Sequence, residues 1–132
     1  MSKIVKTSII IYDDYNNILA IQEGKNKDSL REMWSLVGKE LKGKESEEKA
    51  IIKAVEKDLG CGILNLTPFG EYSINGEDNE KVLVYSGVVG GQIVCHKTIN
   101  KMKWINEREV ETCGFSMTEK EALMDFFKNH AK

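Results

Sequence analysis

At 132 residues the chain has the length of a single domain and can bury a genuine core, so residues 1–132 are read as one unit. A hydrophobic content of 41% beside 30% charged residues excludes disorder, and a formal net charge of −2 provides no overall field to attract a polynucleotide. The apolar run at the N-terminus is too short for a signal core or a membrane span, so a cytoplasmic protein with no membrane partner is expected.

Val5 to Tyr12 (V-K-T-S-I-I-I-Y) is rich in β-branched residues and ends at Asp13-Asp14, which predicts a strand followed by a turn. Asn16-Asn17 suits a tight hairpin into a second strand, Ile18 to Gln22. That strand places Ile18, Ala20 and Gln22 on one face and Leu19 and Ile21 on the other. Glu23 to Met33 is polar and reads as a loop; its Lys25, Lys27 and Arg31 could touch an anion, with a solvated loop as the plainer account.

A helix is predicted from Ser46 to Leu59. Ser46 is the N-cap, Glu47 and Glu48 fill the first turn where the dipole favours acids, and Gly60 closes the far end. Ile51, Ile52, Val55 and Leu59 form its apolar stripe. Ile63 to Ile74 is strand-like around Pro68, which must lie at an edge, a bulge or a bend. Asn75 to Asn79 reads as a turn.

Lys81 to Val89 and Gln92 to Cys95 are expected to pair as a hairpin through Gly90-Gly91. Lys101 to Asn106 follows as a last strand with Trp104 buried. A terminal helix begins near Thr118, with Thr118 and Glu121 as a capping box and Leu123, Met124, Phe126 and Phe127 on its core side. Cys61, Cys95 and Cys113 show no metal or redox spacing and read as reduced, mostly buried thiols. The only histidines are His96 and His130, and His96 would point away from Cys95 on a strand, so thiol catalysis is not supported.

This order of elements fits an α/β (α+β) fold, a mixed central sheet sandwiched between two main helices. The stretch Trp34 to Cys61 (W-S-L-V-G-K-E-L-K-G-K-E-S-E-E-K-A-I-I-K-A-V-E-K-D-L-G-C) resembles the Nudix box of the MutT-like Nudix hydrolases, pyrophosphohydrolases of nucleoside diphosphate derivatives. Their pattern is Gly, five residues, Glu, seven residues, then Arg-Glu-aliphatic-any-Glu-Glu-any-Gly-aliphatic. Aligned from Gly60 and Cys61, Glu45, Val55 and Gly60 match the pattern. Lys53 stands for its Arg and Asp58 for its last Glu, while Lys39, Ala54 and Lys57 depart from it.

The resemblance implies a Nudix-type α/β/α sandwich and a helix face that holds Mg2+ or Mn2+ against a diphosphate. At about 100° per residue, positions 54, 57 and 58 share that face, and Glu56 lies roughly 160° from position 54, so it cannot replace a missing ligand. The box is therefore degenerate, with Glu45, Lys53 and Asp58 as its residual catalytic positions and a weak metal site from Asp58 assisted by Glu45. Lys53 is expected to pair with Glu45 in place of the family's Arg. Lys57, with Lys39 in place of the loop Gly, could supply fixed positive charge to bind phosphate instead.

Lys49, Lys53 and Lys57 recur every fourth residue as a basic ridge, first read as a solvated face with Glu56 placed to pair with Lys53. Gly38 and Gly43 read as turn glycines. Tyr12, Tyr72, Tyr85 and Phe69 are candidates for stacking a base, with core packing as the plainer account. Glu107, Glu109 and Glu111 fall where many family members keep one more carboxylate.

Two functions follow. One is a divergent hydrolase with weak or lost metal-dependent pyrophosphatase activity, using Mg2+ or Mn2+ if active and no cofactor otherwise. The other is a non-catalytic module that binds a nucleotide-like small molecule or a protein partner. A homodimer is compatible with either.

Overall fold

The computed structural model describes residues 3–23, 34–42, 44–74, 77–97 and 99–130. Among the described residues, six strands and three helices follow in order: β1 (Lys3–Ile11), β2 (Ile18–Glu23), β3 (Val37–Glu40), α1 (Glu47–Leu59), β4 (Ile63–Ile74), β5 (Glu77–Val89), β6 (Ile99–Ile105), α2 (Glu107–Val110) and α3 (Met117–His130). The expected loop 24–33 and Gly43 lie outside the described residues, as do residues 75 and 76 of the expected turn.

Four strands form a sheet in the order β3-β1-β5-β4, with β1 parallel to β5 and the outer pairs antiparallel. β2 and β6 form a separate antiparallel pair. Alternation along the strands divides the core. Ile9, Ile11, Leu19 and Ile21 pack with Ile51, Val55 and Leu59 of α1, whereas Ile10, Ile18 and Ala20 pack with Leu123, Phe126 and Phe127 of α3. Because each strand residue faces opposite its neighbour, one layer of strands serves both helices. The result is the expected mixed sheet between two helices.

α1 forms as the sequence predicts. The Ser46 hydroxyl accepts from Lys49 N at 3.2 Å, and Gly60 ends the helix at φ 64°, donating its N–H to Glu56 O. Ala50 and Ala54 join the buried stripe, while Ile52 is only partly buried. A Cβ on Gly60 would stand 2.9 Å from Val94 O as well as in the left-handed region. Gly60→Ala is therefore expected to lower stability by about 1–2 kcal/mol, measured by urea unfolding.

The edge position of β4 accommodates Pro68, where the register to β5 shifts between Pro68 and Gly70. Several local expectations are corrected. The turn at Asn16 exists, held by Asp13, whose carboxylate accepts from Tyr15 N and Asn17 N. Beyond a single bridge from Tyr12 to Ile18, however, β1 and β2 part into different sheets.

Residues 92–95 are not a strand. They run past the end of α1, where Val94 N donates to Leu59 O at 2.7 Å and His96 N to Asp58 O at 2.8 Å, supplying carbonyls that a helix end leaves open. The cap of α3 sits two residues earlier than expected, on Ser116, whose Oγ accepts from Glu119 N. Glu119 closes the reciprocal box, and Thr118 instead donates to Ser73 O at 2.9 Å. Met124 is 37% exposed while Ala122 is buried, and Trp104 is only half-buried. Among the described residues no helix is long and apolar enough to cross a membrane.

Candidate functional site

The box begins on β3, which approaches β1 closely. A Cβ on Gly38 would lie 2.6 Å from Thr7 O and 2.8 Å from Ser8 Oγ, so Gly38 is a close-packing glycine within a strand and not the turn glycine the sequence suggested. Leu41 N donates to Val5 O at 2.9 Å and Glu45 N to Lys42 O at 3.3 Å, which folds the loop back onto the start of α1.

There Lys39 Nζ meets Glu45 Oε2 at 2.8 Å. The expected partner, Lys53, acts on Glu45 only through its field. The Lys39 bond is the main reason the Glu45 carboxyl is held below its usual 4.5, aided by Lys42 and Lys53 and opposed by burial. Its other oxygen, Oε1, is buried with no hydrogen-bond partner.

A carboxyl with a lowered folded-state value stabilises the protein fully above about pH 4.5, and that contribution is lost as pH falls through the lowered value. Stability of the parent is accordingly expected to fall more steeply than that of Glu45→Gln on acidification below about pH 4.5, read by thermal melts across pH. Parallel curves would remove Glu45 as the titrating group.

Along α1, Ala54 is 6% exposed and packs into the core. Lys53, Glu56 and Lys57 are exposed and Asp58 is half-buried. Glu45 precedes the helix and Asp58 lies in its last turn, about 16 Å along the axis from Glu47, where α1 begins, at 1.5 Å per residue. The two carboxylates expected to share an ion therefore do not meet at one, since oxygen ligands stand about 2.0–2.6 Å from Mg2+ or Ca2+. Lys39, on β3, reaches Glu45 ahead of the helix, whereas Lys57 lies in the helix's last turn.

Among the described residues no three His, Cys, Asp or Glu side chains could together hold a metal ion. The donor set does not fit Mg2+ or Mn2+: position 54 offers a methyl group, position 57 an ammonium and position 58 one short carboxylate. Glu56 and Lys53 form no ion pair. Glu109 is taken up in the cap of α2 with Asn106, and Glu111 pairs with Lys120 at 2.8 Å.

Among the described residues, two concave regions bear on the site. An open groove of about 460 Å³ surrounds the start of α1, lined by Lys39, Lys42, Lys44, Lys49 and Lys53 about Glu45 and the Ser46 cap. A narrower slot of about 180 Å³ lies on the other face of the sheet, between β1, β5 and the start of α3. Leu36, Ile74, Val82 and Val84 make its walls, and Lys6, Ser8, Ser116, Thr118 and Glu119 supply polar groups. Glu119 spans the slot's border, with Oε2 accepting from Leu36 N at 2.8 Å and Oε1 from Ser116 Oγ at 3.0 Å.

Sequence reasoning missed this slot. Its available signal was Ser8, a buried polar residue leading into the isoleucines of β1. The aromatic candidates line neither cavity. Tyr12 and Phe69 pack on Phe126, Tyr72 donates to Asp125 at 2.9 Å, and Tyr85 is buried on the α1 side. Cys61 and Cys113 are buried and Cys95 is exposed, and burial pushes the first two thiols up, away from the reactive thiolate.

No family model matches the sequence, and no curated protein matches it. Solved structures do. A MutT studied from Aliivibrio salmonicida and Vibrio cholerae superposes with a TM-score of 0.77 at 14% identity, covering 96% of this chain and 99% of that one. A Nudix hydrolase from Nitrosomonas europaea gives 0.75 at 14% identity over 98% and 90% of the two chains. The E. coli dihydroneopterin triphosphate pyrophosphohydrolase gives 0.72 at 16% identity over 96% and 95%. The architecture and these superpositions together define a Nudix-fold protein. Within that fold, positions 54 and 57 of α1 are Ala and Lys.

Proposed function

We propose that this Nudix-fold protein binds a small, phosphorylated, nucleotide-like molecule and has weak or no metal-dependent hydrolysis. The observation that carries this reading is the face of α1 at positions 54, 57 and 58. Ala54 brings no donor and is closed into the core, Lys57 repels a cation, and Asp58 is a single short carboxylate. Fold supports a small phosphorylated ligand only by analogy. The dihydroneopterin triphosphate enzyme among the structural neighbours acts on a heterocycle bearing a phosphate chain, and the slot beside α3 has apolar walls and polar edges suited to a heterocycle.

The test is turnover of nucleoside triphosphates, nucleotide sugars, ADP-ribose, dinucleoside polyphosphates and dihydroneopterin triphosphate with Mg2+ or Mn2+, for the protein and for Ala54→Glu/Lys57→Glu. Little or no turnover by the parent, with binding detected by calorimetry, is expected. Robust metal-dependent turnover by the parent would overturn the reading. The double variant is expected to melt lower than the parent without metal, because position 54 is buried, and to regain stability when Mn2+ is added.

A further inference from the structure

The lysines around the start of α1 lack the counter-charges that a solvated basic face normally gathers. Among the described residues, the single carboxylate of the groove, Glu45, is already taken by Lys39 at 2.8 Å. Lys42, Lys44, Lys49 and Lys53 make no ion pair or side-chain hydrogen bond there. The first-turn acids do not serve them either. Glu47 and Glu48 stand toward Tyr85, whose phenol is pushed up by burial first and by these two carboxylates second, and neither lines the groove.

Lys49 and Lys53 are one turn apart, a spacing at which like charges destabilise a helix, and the positive end of a 13-residue helix adds to the same field. All this occurs in a chain of net charge −2, so the basic groove is a local concentration of charge. Lys49 and Lys53 lie about 140° and 100° around the helix from position 54, and Lys53 about 40° from Lys57, so the groove flanks the face that resembles a metal site.

We propose that this groove is a metal-independent binding site for a short chain of linked phosphates, with Lys42, Lys44, Lys49 and Lys53 as its donors. A singly charged anion would satisfy only one of four ammonium groups spread over a loop and two helical turns. Linked phosphates place several negative charges within one small volume, and flexible lysines bind them as point charges without the rigid fork of arginine. An extended polynucleotide is disfavoured by the acidic balance of the rest of the molecule. The inference rests on the reading of a phosphorylated ligand and names where its phosphates lie.

The experiment is calorimetric titration of EDTA-treated protein with inorganic triphosphate, with a set of nucleoside triphosphates and with the matching nucleosides. Lys49→Gln/Lys53→Gln is compared with Lys97→Gln/Lys128→Gln, which removes the same charge at exposed sites outside the groove. Triphosphate is expected to bind without metal, about tenfold or more weakly to the groove variant and within about twofold to the control. Binding should also weaken as salt rises from about 0.1 M to about 1 M, where the screening length shortens from about 10 Å to about 3 Å.

Absence of metal-free triphosphate binding, or equal loss in both variants, would overturn the proposal. If nucleoside triphosphates bind but the groove variant is indifferent, the groove assignment fails and the nucleotide-like reading survives. If inorganic triphosphate binds in the groove and no nucleoside improves on it, the groove stands and the nucleotide-like reading fails.

Discussion

Replacing Phe126 with alanine is expected to reduce the unfolding free energy by about 3–5 kcal/mol, the usual cost of removing a buried phenyl ring. Phe126 is fully buried on the inner face of α3. Its ring lies 5.5 Å from Tyr12, 6.0 Å from Phe69 and 5.7 Å from Phe127, so it joins the helix to the residue after β1 and to the edge strand β4. Domains of this size are held by about 5–15 kcal/mol, so the variant should be brought near the margin of folding. Urea unfolding is the measurement, with a lower midpoint at an unchanged slope. Met124→Ala, at a position 37% exposed on the same helix, should change stability by no more than about 0.5 kcal/mol. A loss below about 1 kcal/mol for Phe126→Ala would show that α3 does not pack as described.

Gly38→Ala should damage the site and the fold together. The added methyl would meet Thr7 O at 2.6 Å, and since that atom is backbone, β3 must move away from β1. Lys39 is the next residue along the strand, opposite Thr7 in the register, so its bond to Glu45 would be strained as well. A cost of about 1–3 kcal/mol is expected from overpacking. Anion binding at the groove should weaken in parallel, because Lys39 released from Glu45 rearranges the groove's single ion pair. Gly62→Ala is the matched control: its Cβ would meet nothing within 4 Å, and no measurable loss is expected. Equal stability for the two alanine variants would refute the close approach of β3 to β1.

These two sites also mark what could be read without coordinates. Phe126 belongs to an apolar helical stripe, a local pattern, and the same kind of signal located α1 between Ser46 and Gly60, while the missing N–H of Pro68 called for an edge, a bulge or a bend, which β4 meets as an edge strand with a register shift. Strand partnership is not local. Nothing in Val5 to Tyr12 shows that it lies beside β5, or that β2 will choose β6 over the neighbour across the Asn16 turn. Gly90-Gly91 looked like a hairpin turn, yet Gly90 N donates to Gly62 O and the chain continues past α1. Two overlapping box frames, Ser116 with Glu119 and Thr118 with Glu121, differ by two residues, and packing of Thr118 onto Ser73 O decided between them.

The candidate site divides in the same manner. Ala54 and Lys57 at their places in the motif-like stretch could be read from the residues alone. Lys42 and Lys44 lie in an irregular loop with no period to reveal them, and they become neighbours of Lys49 and Lys53 only once the loop folds against the helix. Glu45 could have paired with Lys39 or with Lys53 on spacing alone. The return of β3 toward the start of α1 gave the bond to Lys39. The slot needed a strand face and a helix start that are far apart in sequence, and Glu119, which reaches Leu36, carried no motif for that role.

The pairing of β1 with β5 and of β2 with β6 has a consequence during synthesis. The chain emerges from its N-terminus, so Ile9 to Ile11 leave the ribosome well before Tyr85 to Gly87, the residues they will lie beside. Ile18 leaves earlier still relative to Ile105. In that interval α1 can form from its own bonds and cover Ile9 and Ile11, while among strands already made the isoleucine-rich first strand has the four-residue β3 as its partner. A nascent chain stalled before β6 would hold β2 without its partner strand and α1 without the rest of its apolar floor. β5 and β6 thus close structure begun by β1 and β2, and apolar surface on the earlier strands stays open until the later ones are made.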